Sequence, residues 1–216
     1  SSIKQTFDQQ GKPDGYVVAG NIDIESDTFI SRDVWVLKLG LDGSIIWQKA
    51  YAFKTHSYSY TDYANAIQQT LDGGYIVAGH TSSGGFGNYD ALILKLSSNG
   101  TVEWQKAYGG SGRDIPSSIL QTQDGGYIVA GVTDSFGAPN GDVWVLKLNS
   151  NGEIPGCSAM GDIEVIVNDT STEIEDTNTV PNKIQPIISI LNLLPQDTSA
   201  ETTEVCVFHE THLNAK

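Results

Sequence analysis

The sequence predicts an all-β fold built from a repeated unit of four short strands. Three similar segments follow one another along the 216-residue chain, and the middle one runs from 66 to 110. Tyr16, Tyr75 and Tyr127 mark the same position in each segment, at intervals of 59 and 52 residues. Within each segment, β-branched and apolar residues are separated by Asp, Asn and Gly. This pattern is typical of strands joined by tight turns.

The middle repeat predicts its strands in a fixed order. Asp72-Gly73-Gly74 is the first turn signal, because glycine adopts positive φ readily and Asp hydrogen-bonds its own backbone. Asn99-Gly100 is the second, since this dipeptide favours a two-residue hairpin. A polar, glycine-rich loop separates the two hairpins. The predicted strands are 66–70, 75–80, 90–96 and 101–108.

The other repeats align with the middle one in order and spacing, which divides the chain after residue 156. The three repeats span 1–51, 64–110 and 111–156, and 157–216 form an acidic, Thr-rich tail. A period of about 50 residues with four strands per unit is typical of a β-propeller blade. We therefore predict three propeller-type blades followed by a β-rich tail.

The third repeat breaks off before its fourth strand. Gly156 stands where the middle repeat has Trp104, and Pro155 cannot donate a hydrogen bond to a ladder. A polar link at 168–181 interrupts the tail, whose predicted strands are 163–167, 184–194 and 204–208. Closed propellers have about four to eight blades, so three leave sheet faces and edges unsatisfied. The sequence favours closure by the tail, which would complete a blade. The alternatives are that two chains form one ring or that a strand pairs with a neighbouring chain.

The repeat motif resembles a known group of proteins. It reads DGGYIVAG, then D-x-x-x-LKL, then NG-x-x-x-W-x-K-x-Y, and is similar to the tandem propeller repeats of secreted and surface proteins of bacteria and archaea. The likeness covers roughly residues 2–156. The hairpin followed by a Trp also resembles the tryptophan-docking turn of quinone-dependent dehydrogenase propellers. That resemblance implies that Trp47 and Trp104 pack between neighbouring blades.

Two charged residues recur in every repeat and are interpreted as scaffold. An Asp begins the third strand and a Lys follows five residues later, so the two project from opposite faces. A catalytic group is needed once and not in each repeat, which favours ion pairs or Asp-to-backbone hydrogen bonds between blades. The residues are Asp33, Asp90, Asp142, Lys38, Lys95 and Lys147.

The charge balance excludes several classes of partner. With 12 Lys and Arg against 26 Asp and Glu, the formal net charge is −14. Binding to nucleic acid needs clustered Lys and Arg and is therefore not predicted. No apolar run is long enough to cross a bilayer, so no membrane insertion is predicted either. The acidic loops suit a cation such as calcium, but they lack the spacing of an EF-hand loop.

Cysteines and asparagines supply the candidate modification sites. Cys157 and Cys206 bracket the tail, and the secreted-type composition favours a disulfide between them over free thiols. Asn168 and Asn99 each begin an N-glycosylation pattern. Asn168 is the better candidate because Asn99 lies in a tight hairpin. These features predict an extracellular protein.

No catalytic set is recognisable in the sequence. There is no nucleophile elbow or phosphate-binding loop, and 209–212 lack the His spacing of a zinc-protease motif, so no enzyme activity, cofactor or metal site is predicted. The incomplete blade count predicts a structural or interaction protein that assembles with itself into a surface layer or filament. The alternative is a carbohydrate-binding lectin or adhesin. It would hold glycans by the Tyr-rich stretch 51–63, read as a loop, or by Phe29, Phe86 and Phe136.

Overall fold

The computed structural model contains β-strands and no helix in the parts of the chain that it describes. Those parts are 1–25, 30–53, 61–82, 86–137, 141–154, 160–162 and 165–169. The strands are β1 (Ser2–Phe7), β2 (Pro13–Glu25), β3 (Ile30–Leu39), β4 (Ile45–Phe53), β5 (Asp62–Gln69), β6 (Tyr75–Thr81), β7 (Asp90–Leu96), β8 (Val102–Tyr108), β9 (Asp114–Gln121), β10 (Tyr127–Thr133), β11 (Asp142–Leu148), β12 (Met160–Asp162) and β13 (Val165–Asp169). The prediction of an all-β chain is confirmed over these ranges. They include no helix that could cross a membrane.

The strands form three antiparallel sheets, one for each repeat. The strand order is β1-β2-β3-β4-β13 in the first sheet, β5-β6-β7-β8-β12 in the second and β9-β10-β11 in the third. The predicted loss of the fourth strand from the third repeat is thus confirmed for the described residues. The first two sheets instead have five strands each, because the tail adds one strand to both.

Tight turns join the strands at the predicted positions. Gly73 and Gly100 have φ angles of 82° and 78°, in the left-handed region where a side chain is strained. The carboxylate of Asp72 accepts a hydrogen bond from the backbone N–H of Gly74 at 2.9 Å. These local bonds fix the register of each hairpin, which decides the side chains that face a neighbouring sheet.

Two predicted boundaries are wrong, for one physical reason. The first strand of the middle repeat begins at Asp62 instead of 66, and Tyr51 lies buried in β4. The buried Asp62 carboxylate accepts hydrogen bonds from the backbone N–H of Phe53 and the hydroxyl of Thr81. These bonds hold Phe53 at the end of β4 and Asp62 at the start of β5. Because both ends of the stretch 51–63 belong to strands, that stretch is not a single loop.

The described tail residues return along the outer edges of the first two sheets. β12 pairs with β8, and β13 pairs with β4. Asn168 therefore lies in a strand, opposite Ala50, and not in the predicted polar link. The backbone of these tail residues is thus paired with the outer edges of β8 and β4. Cys157, Cys206 and the strands predicted at 184–194 and 204–208 lie outside the described residues.

The three sheets stack in chain order. β5 packs against β1, β2 and β3 of the first sheet, and β9 packs against β5, β6 and β7 of the second. No comparable packing joins the third sheet to the first within the described ranges. The second sheet is therefore covered on both faces, whereas the first and third are end sheets.

Candidate functional site

The first and second sheets meet in an apolar layer. Val17, Val34 and Val36 of the first sheet are fully buried in it, and Leu92 and Leu94 of the second sheet are buried beside them. Burial of this apolar surface is the main favourable contribution to the contact. We call the face of a sheet toward the following sheet its trailing face, and the opposite one its leading face.

The second interface repeats the first. Ile76, Ala91 and Ile93 form the trailing face of the second sheet, at the repeat positions of the three valines. Trp144 and Leu146 pack against them from the leading face of the third sheet. One repeated residue plan therefore builds both contacts.

The trailing face of the third sheet has the same type of side chains but is open to solvent. Val143 is 82% exposed and Val145 is 60% exposed, while their counterparts in the first two sheets are fully buried. The exposed apolar side chains of this face are Leu120, Ile128, Val132, Val143 and Val145, beside the half-exposed Lys147. Exposed apolar patches are typical of interaction surfaces.

The leading face of the first sheet is the second open surface, although only in part, because Leu37 on that face is 5% exposed. Ile3 is 60% exposed, although Ile67 and Ile119 at the same repeat position are 1% and 7% exposed. Tyr16 and Val18 on the same face are half-buried. The two open faces thus lie at opposite ends of the stack.

The outer edge of the third sheet adjoins its trailing face. In the first two sheets a fourth strand covers this edge, but β11 has no such partner among the described residues. An uncovered edge presents backbone N–H and C=O groups that can pair with another strand. The third sheet therefore offers an apolar face and a hydrogen-bonding edge together.

Trp47 and Trp104 both lie at contacts between sheets. The indole Nε1 of Trp47 donates to the Ser98 carbonyl oxygen of the second sheet at 3.1 Å. Its ring meets Tyr75 edge-on, with centroids 5.8 Å apart. Trp104 meets Tyr127 of the third sheet in the same way, also at 5.8 Å. Both indole rings therefore contact the following sheet.

Two tyrosines tie the same contacts: Tyr51, which the sequence analysis placed in a glycan-binding loop, and Tyr108, which it did not assign. The Tyr51 hydroxyl donates to the carbonyl oxygen of Gly100 at 2.7 Å. The Tyr108 hydroxyl donates to the carbonyl oxygen of Gly152 at 2.6 Å. A Tyr four residues after each Trp was the signal that could have identified them.

The repeated lysines form ion pairs inside one sheet, which corrects the expectation of ion pairs between blades. The N–O distances are 3.1 Å for Lys38–Asp14, 2.9 Å for Lys95–Asp72 and 2.7 Å for Lys147–Asp124. The following sheet covers the first two lysine side chains, which are 7% and 3% exposed. The third is 48% exposed, because it lies on the open end sheet.

Two of the repeated aspartates, Asp33 in β3 and Asp90 at the start of β7, are buried. Oδ2 of Asp90 accepts hydrogen bonds from the N–H groups of Phe86 and Gly87 in its own preceding loop, not from a neighbouring sheet. Oδ1 of Asp90 and Oδ1 of Asp33 have no hydrogen-bond partner within the described ranges. Burial raises the pKa of both carboxyl groups. Asp142, at the same repeat position, is half-buried.

An Asp90→Asn variant is expected to be more stable than the parent at about pH 7. Burial raises the pKa of Asp90, so the folded state keeps its proton to a higher pH than the unfolded chain does. The free energy of unfolding therefore falls as the pH rises from the pKa of this carboxyl group in the unfolded chain to its higher pKa in the folded protein. Asn keeps an acceptor oxygen for the two N–H groups and removes the charge. Urea unfolding should give a higher midpoint at about pH 7 and a smaller difference at about pH 4.

Asp72→Asn is the matched control with the opposite sign. Burial raises the pKa of Asp72, but hydrogen bonds from Thr70 and Lys95 outweigh it and lower the pKa to about 2. Loss of this carboxylate should destabilise the protein at about pH 7, and the loss should shrink toward acid pH. A lower midpoint for Asp90→Asn than for the parent at neutral pH would contradict the assigned cost of burying Asp90.

The candidate ligand residues of the loops differ in their surroundings. Phe86 is 43% exposed, whereas Phe136 packs against Trp144 with ring centroids 5.9 Å apart, and Phe29 lies outside the described residues. The side chain of Asn99 is exposed and caps its own hairpin by accepting from the N–H of Thr101. Where side chains are described, no three of His, Cys, Asp and Glu are grouped to hold a metal ion.

The chain matches no protein-family model and no curated protein sequence.

Proposed function

We propose that the chain is a non-enzymatic structural protein of the cell exterior that assembles with further molecules of itself. One observation carries the proposal: the third sheet exposes, on its trailing face, the apolar positions that the first two sheets bury. Val143 and Val145 are mostly solvent-exposed, while Ala91 and Ile93 at the same positions are fully buried. An isolated chain leaves this surface in water, and association removes it.

We also propose that the three sheets are blades of a β-propeller. Sequence order and stacking order agree, and the first strands of neighbouring sheets, β1, β5 and β9, lie beside one another. Closed propeller rings have about four or more blades, whereas this chain has three. A second molecule supplies the missing neighbours, which makes a surface layer or filament the expected product.

The open edge of β11 supports strand exchange as a further mode of assembly. In the second sheet, β8 fills the corresponding edge of β7 through antiparallel pairing from Ala91 to Leu96, with a register shift between Lys95 and Leu96. An extended segment from a neighbouring molecule pairing with Asp142–Leu148 would restore that arrangement in the third sheet. The location outside the cell is proposed from the acidic composition and the paired-cysteine pattern.

Static light scattering of the purified chain over a range of concentrations tests the proposal. The mean mass should rise with concentration to more than that of one chain. A Val145→Asp variant should shift this rise to a concentration at least about tenfold higher, since a charge at the centre of an apolar contact must be desolvated. Leu71→Asp is the matched control, because Leu71 is 86% exposed and belongs to neither open face.

A constant monomer mass for the parent at every concentration would overturn self-assembly. An equal effect of Val145→Asp and Leu71→Asp would instead remove the trailing face from the contact. Circular dichroism of all three proteins checks that the substitutions leave the β-structure unchanged.

A further inference from the structure

We propose that the trailing face of the third sheet in one molecule packs on the leading face of the first sheet in a second molecule. This inference rests on the proposed self-assembly and names the two surfaces that meet. The contact is head-to-tail, and it continues the stacking that joins the first sheet to the second and the second to the third inside one chain.

The leading face of the first sheet has the residue plan of a face that another sheet covers. In the second sheet this face contains Ile67, Tyr75, Val77, Leu94 and Leu96, all of them buried under the first sheet. In the first sheet the same repeat positions hold Ile3, Tyr16, Val18, Leu37 and Leu39. The two sets are identical in residue type at these five positions, and at a sixth the first sheet has Trp35 where the second has Leu92 and the third has Trp144. A surface that fits the leading face of the third sheet therefore fits that of the first.

The trailing face of the third sheet has the complementary plan. Ile128, Val143 and Val145 occupy the positions that Ile76, Ala91 and Ile93 occupy in the second sheet. Val143 is larger than Ala91, whereas Val145 is smaller than Ile93, so the apolar volume is nearly conserved. Contacts of conserved volume repack at low cost. In the internal interface the second-sheet residues pack against Trp144 and Leu146 of the third sheet. In the proposed contact their equivalents meet the half-buried Trp35 of a second molecule, whereas Leu37 beside it is already 5% exposed within the single chain.

At β5 and β9, the first strands of the second and third sheets, a glutamine side chain hydrogen-bonds to the backbone of the preceding sheet. The amide of Gln69 bonds the backbone of Phe7 in the preceding sheet, accepting from its N–H at 2.8 Å and donating to its carbonyl oxygen at 2.9 Å. Gln121 repeats this toward the second sheet, where Oε1 accepts from the N–H of Leu71 at 2.9 Å.

The same pair of positions is present, and exposed, at the two open ends. Gln5 is the equivalent of Gln69 and Gln121, and Gln123 is the equivalent of Phe7 and Leu71. Both are exposed in the isolated chain. In the proposed contact the amide of Gln5 from one molecule bonds the backbone of Gln123 in the next. This polar pair fixes the register that the apolar faces alone leave free.

The two faces differ from each other, which makes the contact heterologous. Each molecule has one trailing and one leading face at opposite ends, so every contact leaves one face of each kind free. Heterologous contacts produce a ring when the rotation closes and a filament when it does not. A two-fold contact, with one trailing face on another, produces only dimers.

Two variants and their mixture test this arrangement by sedimentation velocity. Val143→Asp disables the trailing face and Ile3→Asp disables the leading face, and both side chains are mostly solvent-exposed in the single chain. Each variant alone should remain a monomer, because every contact needs one intact face of each kind. An equal mixture should form a species of about twice the monomer mass and nothing larger, since only one intact pair remains per two molecules. Leu71→Asp should assemble like the parent.

The outcomes separate this inference from the proposed function. If the parent and Ile3→Asp assemble alike while Val143→Asp does not, two trailing faces meet each other and the head-to-tail contact is overturned. If both variants assemble like the parent, the end faces are not the contact, although self-assembly stands. If the parent itself never assembles, both proposals fail. Formation of the mixed dimer also establishes that both variants fold.

Discussion

A Gly79→Ala variant is expected to lose about 3 kcal/mol of unfolding free energy, because the added methyl group has no room. A Cβ at Gly79 would lie 1.8 Å from the carbonyl oxygen of Tyr63 and 3.2 Å from the Cα of Ala64. Both are backbone atoms of β5, so no side chain can move aside. The clash coincides with the register shift between Ala64 and Ala66 in the pairing of β5 with β6.

The repeats supply controls at the same position. Gly131 faces the backbone of Ile115 and Pro116, with its nearest contact at 2.2 Å, and Gly131→Ala should cost a similar amount. At Gly20 the nearest atom is 3.9 Å away, which is an ordinary contact. Gly20→Ala should therefore change stability by less than about 1 kcal/mol. Urea unfolding of the three variants measures the difference, and an equal loss at all three positions would contradict the close approach.

Ile93→Ala is expected to destabilise the chain by about 3 kcal/mol, since it removes a fully buried side chain between the second and third sheets. The vacated space is lined by rigid strands of both sheets, so the site collapses only in part and a cavity remains. Val145→Ala is the matched control at the same repeat position. Val145 is 60% exposed, and its truncation should cost less than about 0.5 kcal/mol in the monomer.

The pair also distinguishes an open end sheet from a covered one. Unfolding should be followed by urea titration at a concentration at which light scattering finds only monomers. Similar losses for Ile93→Ala and Val145→Ala under those conditions would mean that the trailing face of the third sheet is covered within the single chain. A large loss for Val145→Ala only in concentrated samples would locate the cover in a second molecule.

Much of the sheet structure could be predicted from the sequence, because turns and strands are local features. Asp72-Gly73-Gly74 and Asn99-Gly100 indicated the hairpins, and Pro155 with Gly156 indicated the missing fourth strand. The start of β5 at Asp62 was missed, since it depends on hydrogen bonds to Phe53 and Thr81, which are distant in sequence. The edges that the tail strands join depend on long-range pairing as well, and no local motif encodes them.

The open surfaces could be predicted in kind but not in position. Counting three repeats indicated that some face must remain unsatisfied. Only the stacking of the sheets distinguishes Val143 and Val145, which are exposed, from Ala91 and Ile93, which are buried at the same repeat positions. The partners of Lys38 and its equivalents were likewise missed, because the turn Asp lies in an earlier hairpin that the register brings back beside the lysine.

Cryo-electron microscopy of the concentrated protein tests most directly whether another molecule of the chain completes the stack. We predict particles in which the trailing face around Val143 and Val145 lies against the face of the next molecule that contains Ile3 and Tyr16. Particles of one chain each, with Val143 and Val145 still facing solvent at high concentration, would contradict it.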